Sequence, residues 1–273
     1  MKTWFITGAS RGFGALITEA VLASGDAVVA TARDPSSIAD HLRLLKLPLD
    51  VTNEGQTRAA VANAIEKFGR IDVLVNNAGY GLLGAIEEAS TAEVEKVFAT
   101  NVFGLMNVTR TVLPYMRKQR SGYIVNMSSI GGYASHAGWG VYCATKFAVE
   151  GISEALSIEL APLGIHATVV EPGYFRTDFL SAQSLSSTAA RIEDYADTVG
   201  KMRAFAAAAN HQQAGDPKRL AQVIVRLAAE REPPTRLALG SDTVARIEEK
   251  NRDVERELNL WRSTSLSTDF GHA

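Results

Sequence analysis

Tyr142 and Lys146 stand four positions apart in "VYCATKFAVEG". On a helix that spacing puts both side chains on one face, one turn apart. A free phenol titrates near ~10, too high to lose its proton readily at neutral pH. A cation beside it favours the phenolate and pulls that value toward the range where general acid/base catalysis is efficient. The pair therefore suits proton transfer to or from an oxygen, although Tyr-x-x-x-Lys is also ordinary helix decoration. Near the N-terminus, "TGASRGFG" (residues 7–14) is glycine-rich directly after an apolar run and before a helical pattern. There a backbone can approach a pyrophosphate, and a helix N-terminus supplies N–H donors. The spacing is Thr-Gly-x-x-x-Gly-x-Gly, not the commoner G-x-G-x-x-G.

These residues need a scaffold, and short apolar runs provide one. "TWFIT", "AVVATA", "KLPLD", "IDVLVN", "GYIVNM", "HATVVE" and "RLALG" are mostly too continuously apolar for strands with one wet face. They read as strands of a parallel sheet covered on both sides. Helical patterns lie between them. "FGALITEAVLASG" stops at Gly25, and "NEGQTRAAVANAIEKFG" opens near Asn53 and ends at Gly69. The alternation predicts an α/β fold, a doubly wound parallel sheet of Rossmann type with about seven strands and helices on both faces. One domain is expected over 1–273. A helical, substrate-side insertion at about 179–216 shows no clear strand. A charged C-terminal helix is expected at about 241–262, with a loose tail from about Ser263.

The chain of 273 residues is 46% hydrophobic and 21% charged, as in a globular protein. A formal net charge of -2 suggests neither nucleic acid nor an anionic membrane as partner. No stretch approaches the length of a membrane span, and the opening "MKTWFITGAS" is too short for a signal peptide's apolar region. Cys143 is the lone cysteine, so no internal disulfide can form, which fits a cytoplasmic location. The histidines (His41, His136, His166, His211, His272) are dispersed, so no metal site is expected.

"TGASRGFG", "NNAG" at 76–79, Asn101 in "ATNVFG", "MSS" ending at Ser129, and "YCATK" at 142–146 occur in one order. With "EPGYFRTDF" at 171–179, the chain resembles the short-chain dehydrogenase/reductase superfamily over roughly residues 1–240. It looks most like the hydroxysteroid- and retinol-dehydrogenase-like members. The resemblance implies a catalytic set of Asn101, Ser129, Tyr142 and Lys146. Tyr142 would be the acid/base. Lys146 would be its partner and would also hold the nicotinamide ribose. Ser129, thirteen positions before Tyr142, is preferred to Ser128 on the family's spacing. Asn101 would hold a water in a proton relay, or else merely kink or cap a helix.

The same resemblance places a dinucleotide against Gly8, Ser10, Arg11, Gly12, Phe13 and Gly14. It adds Asp50 and Val51 at the adenine, Asn76, Ala78 and Gly79 on the adenosine side, and Pro172, Gly173 and Thr177 at the nicotinamide. Asn77 serves either structure or cofactor. Second strands of NAD-specific members usually end in an acid that binds the ribose 2′-hydroxyl. Here Ala32 holds that place, with Arg33 next and Arg11 in the glycine loop. Two guanidinium groups suit a 2′-phosphate, so NADP(H) is preferred, with NAD(H) possible through Asp34.

Tyr133, Trp139, Tyr174 and Phe179, with Leu180, would form the substrate wall, favouring a hydrophobic ketone or alcohol. His136 either touches substrate or sits in an exposed loop. Cys143 reads as a packed, inert neighbour of Tyr142. The helices around 91–118 and 142–160 suggest a homodimer or homotetramer. The alternatives are a sensor or scaffold of the same fold without turnover, an NAD-preferring alcohol dehydrogenase, and an epimerase or dehydratase, whose glycine spacing generally differs.

Overall fold

The computed structural model describes residues 1–270; residues 271–273, His272 among them, lie outside. All seven apolar runs form strands of one parallel sheet: β1 (Thr3–Thr7), β2 (Ala27–Ala32), β3 (Leu44–Pro48), β4 (Val73–Asn76), β6 (Gly122–Met127), β7 (Ile165–Pro172) and β9 (Arg236–Leu239). Their order across the sheet is β3-β2-β1-β4-β6-β7-β9. Chain direction across the sheet reverses between β1 and β4, and in such sheets ligands bind beyond the strand ends at that crevice.

Alternation along the strands explains the two apolar faces. Trp4 and Ile6 of β1 pack with Ile17 and Val21 of α1 (Gly12–Ala23) and Leu220 and Ile224 of α7 (Pro217–Leu227). Phe5, between them, faces the other side. There it joins Val61 of α2 (Glu54–Phe68), Val108 and Val112 of α4 (Leu105–Gln119) and Leu156 of α5 (Gly140–Leu160). Side-chain chemistry closes the helix ends. The Asn53 side chain accepts from Gln56 N, and Gly69 ends α2 in the left-handed region at φ 76°. Ser90 and Glu93 form a capping box on α3 (Thr91–Phe98).

Two expectations fail. The insertion contains a strand, β8 (Leu185–Ser187), which pairs in parallel with β5 (Gly81–Leu83). Beyond it lie a π-helical turn at Ala196–Gly200 and α6 (Lys201–Ala209). The C-terminal helix α8 (Ser241–Leu266) runs four residues into the segment expected to be loose. Hydroxyls there fold back on the helix, as when Ser265 Oγ donates to Trp261 O at 3.1 Å. No helix among the described residues is long and apolar enough to cross a membrane.

Candidate active site

The glycine loop leaves the end of β1 and opens α1. Gly8 and Gly12 have φ of 66° and 55°, where a side chain would strain the backbone. A Cβ on Gly14 would collide with Gly8 O, so the turn closes this tightly only without one. Asn77 pins the loop from the neighbouring strand. Its Nδ2 donates to Thr7 O and Gly8 O, both at 3.0 Å. A cavity of about 520 Å³ runs from this loop to Tyr142.

Most residues expected to hold a dinucleotide line that cavity: Gly8, Ser10, Arg11, Gly12, Phe13, Arg33, Asp50, Val51, Ala78, Gly79, Pro172, Gly173 and Thr177. Gly14 lies behind the loop, shaping it. Asn76 is off the wall. It is buried in the sheet and donates through Nδ2 to Thr109 Oγ1 and Asn126 Oδ1, both at 2.9 Å. Asp50 accepts from Thr52 N at 2.9 Å and Thr52 Oγ1 at 2.7 Å through one oxygen. Thr177 Oγ1 accepts from Phe179 N at 3.3 Å.

At the 2′ position expected for a phosphate, Arg33 is exposed and borders a recess shared with Ser10, Arg11, Asp34 and Ser37. Arg11 does not stand free there. Its Nη2 donates to Gln183 O at 2.7 Å and its Nε to Ser184 Oγ at 3.2 Å. The glycine loop is thus tied to the insertion.

The reacting end of the cavity is built by α5 and the end of β6. Tyr142, Lys146, Ser128 and Ser129 all line it. Ser129 faces the phenol and accepts from Gly131 N at 3.1 Å. The structure therefore separates the two serines, because Ser128 Oγ turns toward Glu150. Asn101 lies in a π-helical turn, Ala99–Gly104, between α3 and α4. Its amide bridges two elements: Oδ1 accepts from Tyr80 N (3.0 Å), while Nδ2 donates to Tyr80 O (2.9 Å) and Thr145 Oγ1 (3.1 Å). Asn101 thus anchors α5 one residue before Lys146.

The electrostatics differ from the expectation for an isolated phenol–ammonium pair. Burial pushes the Tyr142 phenol well up, and the Ser129 hydroxyl beside it pulls the other way. Burial pulls Lys146 down to about 8, with Glu150 opposing. Lys146 Nζ donates to Met127 O at 2.8 Å and lies 5.7 Å from the phenol's ring centroid. The ammonium is directed at the strand end and does not lower the phenol here.

Aromatic rings form the substrate-side wall. Trp139 stacks on Phe179 with centroids 6.3 Å apart, and both contact the Tyr142 ring. Tyr174 and Leu180 also line the cavity. Tyr133 does not, since its hydroxyl donates to Asn251 Oδ1 of α8 at 2.5 Å. His136 lines the cavity half-buried, its pKa lowered by burial first and by the Arg246 charge second. Cys143 is buried and its thiol is raised by burial, as expected of a packed residue. Leu185 lines the cavity and Met202 packs beside it; both lie in the insertion expected on the substrate side, though neither was singled out there. No set of three or more candidate metal ligands occurs among the described residues.

A family model described as short chain dehydrogenase matches residues 2–187. A 3-ketodihydrosphingosine reductase from Bacteroides thetaiotaomicron is 42% identical over 236 residues, covering 86% of this chain and 86% of the relative. The crystal structure of a short-chain dehydrogenase from Streptomyces avermitilis superposes with a TM-score of 0.93 at 40% identity, over 98% of this chain and 99% of that one. A short-chain dehydrogenase/reductase from Burkholderia phymatum, solved in complex with NAD, gives a TM-score of 0.83 at 26% identity, over 94% and 95% of the two chains. With its fold, its glycine loop and its Ser129–Tyr142–Lys146 cluster in place, the chain belongs to the short-chain dehydrogenase/reductase superfamily and is an oxidoreductase.

Proposed function

We propose that the protein interconverts a hydrophobic ketone and its secondary alcohol, with NADP(H) preferred to NAD(H). The observation that carries this reading is one cavity that joins the glycine loop to Tyr142 and Ser129. The loop's glycines and the α1 N-terminus fit a pyrophosphate, and a lining that runs from Arg33 and Asp50 to Thr177 and Tyr142 fits a dinucleotide. A bound nicotinamide supplies or accepts the hydride. Tyr142 Oη gives its proton to the carbonyl oxygen during reduction and recovers one from the alcohol during oxidation. Ser129 Oγ donates a hydrogen bond to the same oxygen and stabilises charge developing there. Lys146 would hold the nicotinamide ribose, and Asn101 holds α5 in register.

Arg33, open to the 2′ recess beside Ala32, supports the NADP(H) preference. The aromatic wall supports an apolar substrate, and the reductase relative makes a ketone the natural class. Exposed Phe103, Phe147 and Ile158 support a homodimer or homotetramer. The proposed place of action is the cytoplasm. The test is a panel of ketones and alcohols, followed by absorbance of the reduced nicotinamide with each cofactor. Turnover of apolar ketones, faster with NADPH, is expected. Binding of nicotinamide in calorimetry with no turnover across the panel would instead mark a sensor.

A further inference from the structure

Behind the reacting residues lies a buried cluster of charges that the proposed chemistry leaves unassigned. Glu150 sits on α5 one turn beyond Lys146, and Glu171 sits near the end of β7. They are 5% and 1% exposed. A single guanidinium serves both: Arg236 Nε lies 3.3 Å from Glu150 Oε2 and 3.8 Å from Glu171 Oε1. The same arginine also reaches the more exposed Glu154, Nη2 to Oε2, at 3.2 Å. Two fully ionised carboxylates here would leave buried negative charge beyond what one shared cation can balance.

The hydrogen bonds are also incomplete. Glu150 Oε1, Glu171 Oε1 and Ser128 Oγ are buried and make no hydrogen bond, Glu171 Oε1 having only the 3.8 Å contact with Arg236 Nε. Orphaned carboxylate oxygens in a closed site lack a donor, and one proton held between two carboxyls supplies it. Glu150 Oε1 and Ser128 Oγ also converge on one point. A Cβ on Gly132 would strike Ser128 Oγ and come within 2.9 Å of Glu150 Oε1.

Three consecutive residues at the end of β6 therefore face three residues of α5. Met127 O accepts from Lys146, Ser128 faces Glu150, and Ser129 faces Tyr142. This proposal accepts the hydride-transfer reading above. We propose that Glu150 and Glu171 hold one proton between them and, through Ser128, position the strand end that sets Ser129 and Met127 against Tyr142 and Lys146. They are positioning residues and touch no substrate. Burial raises both carboxyls, and the charge of Glu150 raises Glu171 further, so the proton stays on at pH values where an exposed carboxyl is ionised. The charged groups facing the pair are Lys146 and Glu154 from α5 and Arg236 from β9. The strand end before the 130–132 turn contributes the Ser128 hydroxyl.

The experiment is an infrared pH titration of the full chain without substrate, for wild type, Glu171→Gln and Glu150→Gln. Expected is the carbonyl-stretch band of one protonated carboxylic acid, persisting well above the ordinary carboxylate range and lost in either variant. No such band, or a band unchanged in both variants, overturns the shared proton. This arm needs no turnover, so it stands apart from failure of the hydride-transfer reading. The second arm uses the ketone found by the panel. Ser128→Ala and Glu150→Ala should lower kcat about tenfold or more, as misplacement of a reacting group does, with KM within about twofold. An inflection in the wild-type kcat profile should follow the infrared midpoint and vanish in Glu171→Gln. A Glu171→Gln profile superimposable on wild type, or undiminished kcat in Ser128→Ala, overturns the positioning role.

Discussion

Arg203 Nη2 of α6 lies 2.6 Å from Glu88 Oε2, joining the substrate-side insertion to the loop after β5 through a buried ion pair. Glu88 also accepts from Ala85 N at 2.7 Å and Ile192 N at 2.9 Å, and Arg203 donates to Thr188 Oγ1 at 3.0 Å. Removing one partner leaves an uncompensated buried charge, which costs roughly 3–5 kcal/mol. Arg203→Ala should lower the thermal midpoint by several degrees. It should raise KM more than it lowers kcat, because α6 backs the wall near Met202. Calorimetry and initial rates check both, and a KM unchanged from wild type would separate the ion pair from the site.

The same pair sets an acid limit. The Arg203 side chain, and then the backbone donors, hold Glu88 down to about 2, below its ordinary value near 4.5. A depressed carboxyl stabilises the fold above its unfolded value, and that contribution disappears as pH falls from 4.5 through 2. In Glu88→Gln this part of the acid transition should be missing. Denaturant midpoints measured across that window for both proteins test it.

Lys146 carries the opposite sign of linkage. Its folded value of about 8 lies below the ordinary 10.5, so burying the ammonium costs the folded state its full penalty below pH 8, and that penalty is lost as pH rises to 10.5. At ~1.4 kcal/mol per pH unit the difference is roughly 3 kcal/mol, offset by about 1 kcal/mol for the lost bond to Met127 O. Lys146→Met should therefore be more stable than wild type at pH 7, by about 2 kcal/mol, while losing turnover. The advantage should shrink as pH rises from 8 to 10.5. A variant less stable than wild type at pH 7 would contradict the burial penalty.

Tyr142→Phe should fold and bind cofactor normally, yet lose about 10²–10⁴ in kcat, the range for a positioned acid/base. Near-wild-type turnover would remove Tyr142 from the chemistry.

Arg33→Ala tests the cofactor preference. Charge-assisted hydrogen bonds are worth roughly 1.5–3 kcal/mol, and ~1.4 kcal/mol is tenfold in affinity. NADPH should bind about ten- to a hundredfold more weakly, with NADH nearly unchanged. Ala32→Asp should shift preference toward NADH. Arg11→Ala should have the smaller effect on NADPH, since Arg11 already bonds Gln183 and Ser184. Equal loss for both cofactors in Arg33→Ala would make Arg33 a surface charge.

The sheet was readable because each strand is a short continuous apolar run, and Asn53 and Gly69 marked the ends of α2 by chemistry that acts locally. What escaped depends on partners distant in sequence or on direction alone. Asn76 and Asn77 are neighbours of one type, but strand alternation sends one into the sheet and the other to the glycine loop. Tyr133 turns toward Asn251 of α8, and no local pattern announces it. The Tyr142–Lys146 spacing put both on one face, but burial moved their proton affinities and the carbonyl of Met127 took the ammonium's hydrogen bond.

The pairing of β5 with β8 joins segments about a hundred residues apart, whereas β1, β2, β3 and β4 pair among neighbours in the first 76 residues. Contacts of such long sequence separation form slowly, because the loop must close before the pairing rewards it. On a ribosome, the glycine loop can be shaped while the substrate wall still lacks its second strand. In pulsed hydrogen exchange during refolding, the amides of Gly81–Leu83 should gain protection after those of Thr3–Thr7, so the glycine loop would be in place before the substrate wall is complete.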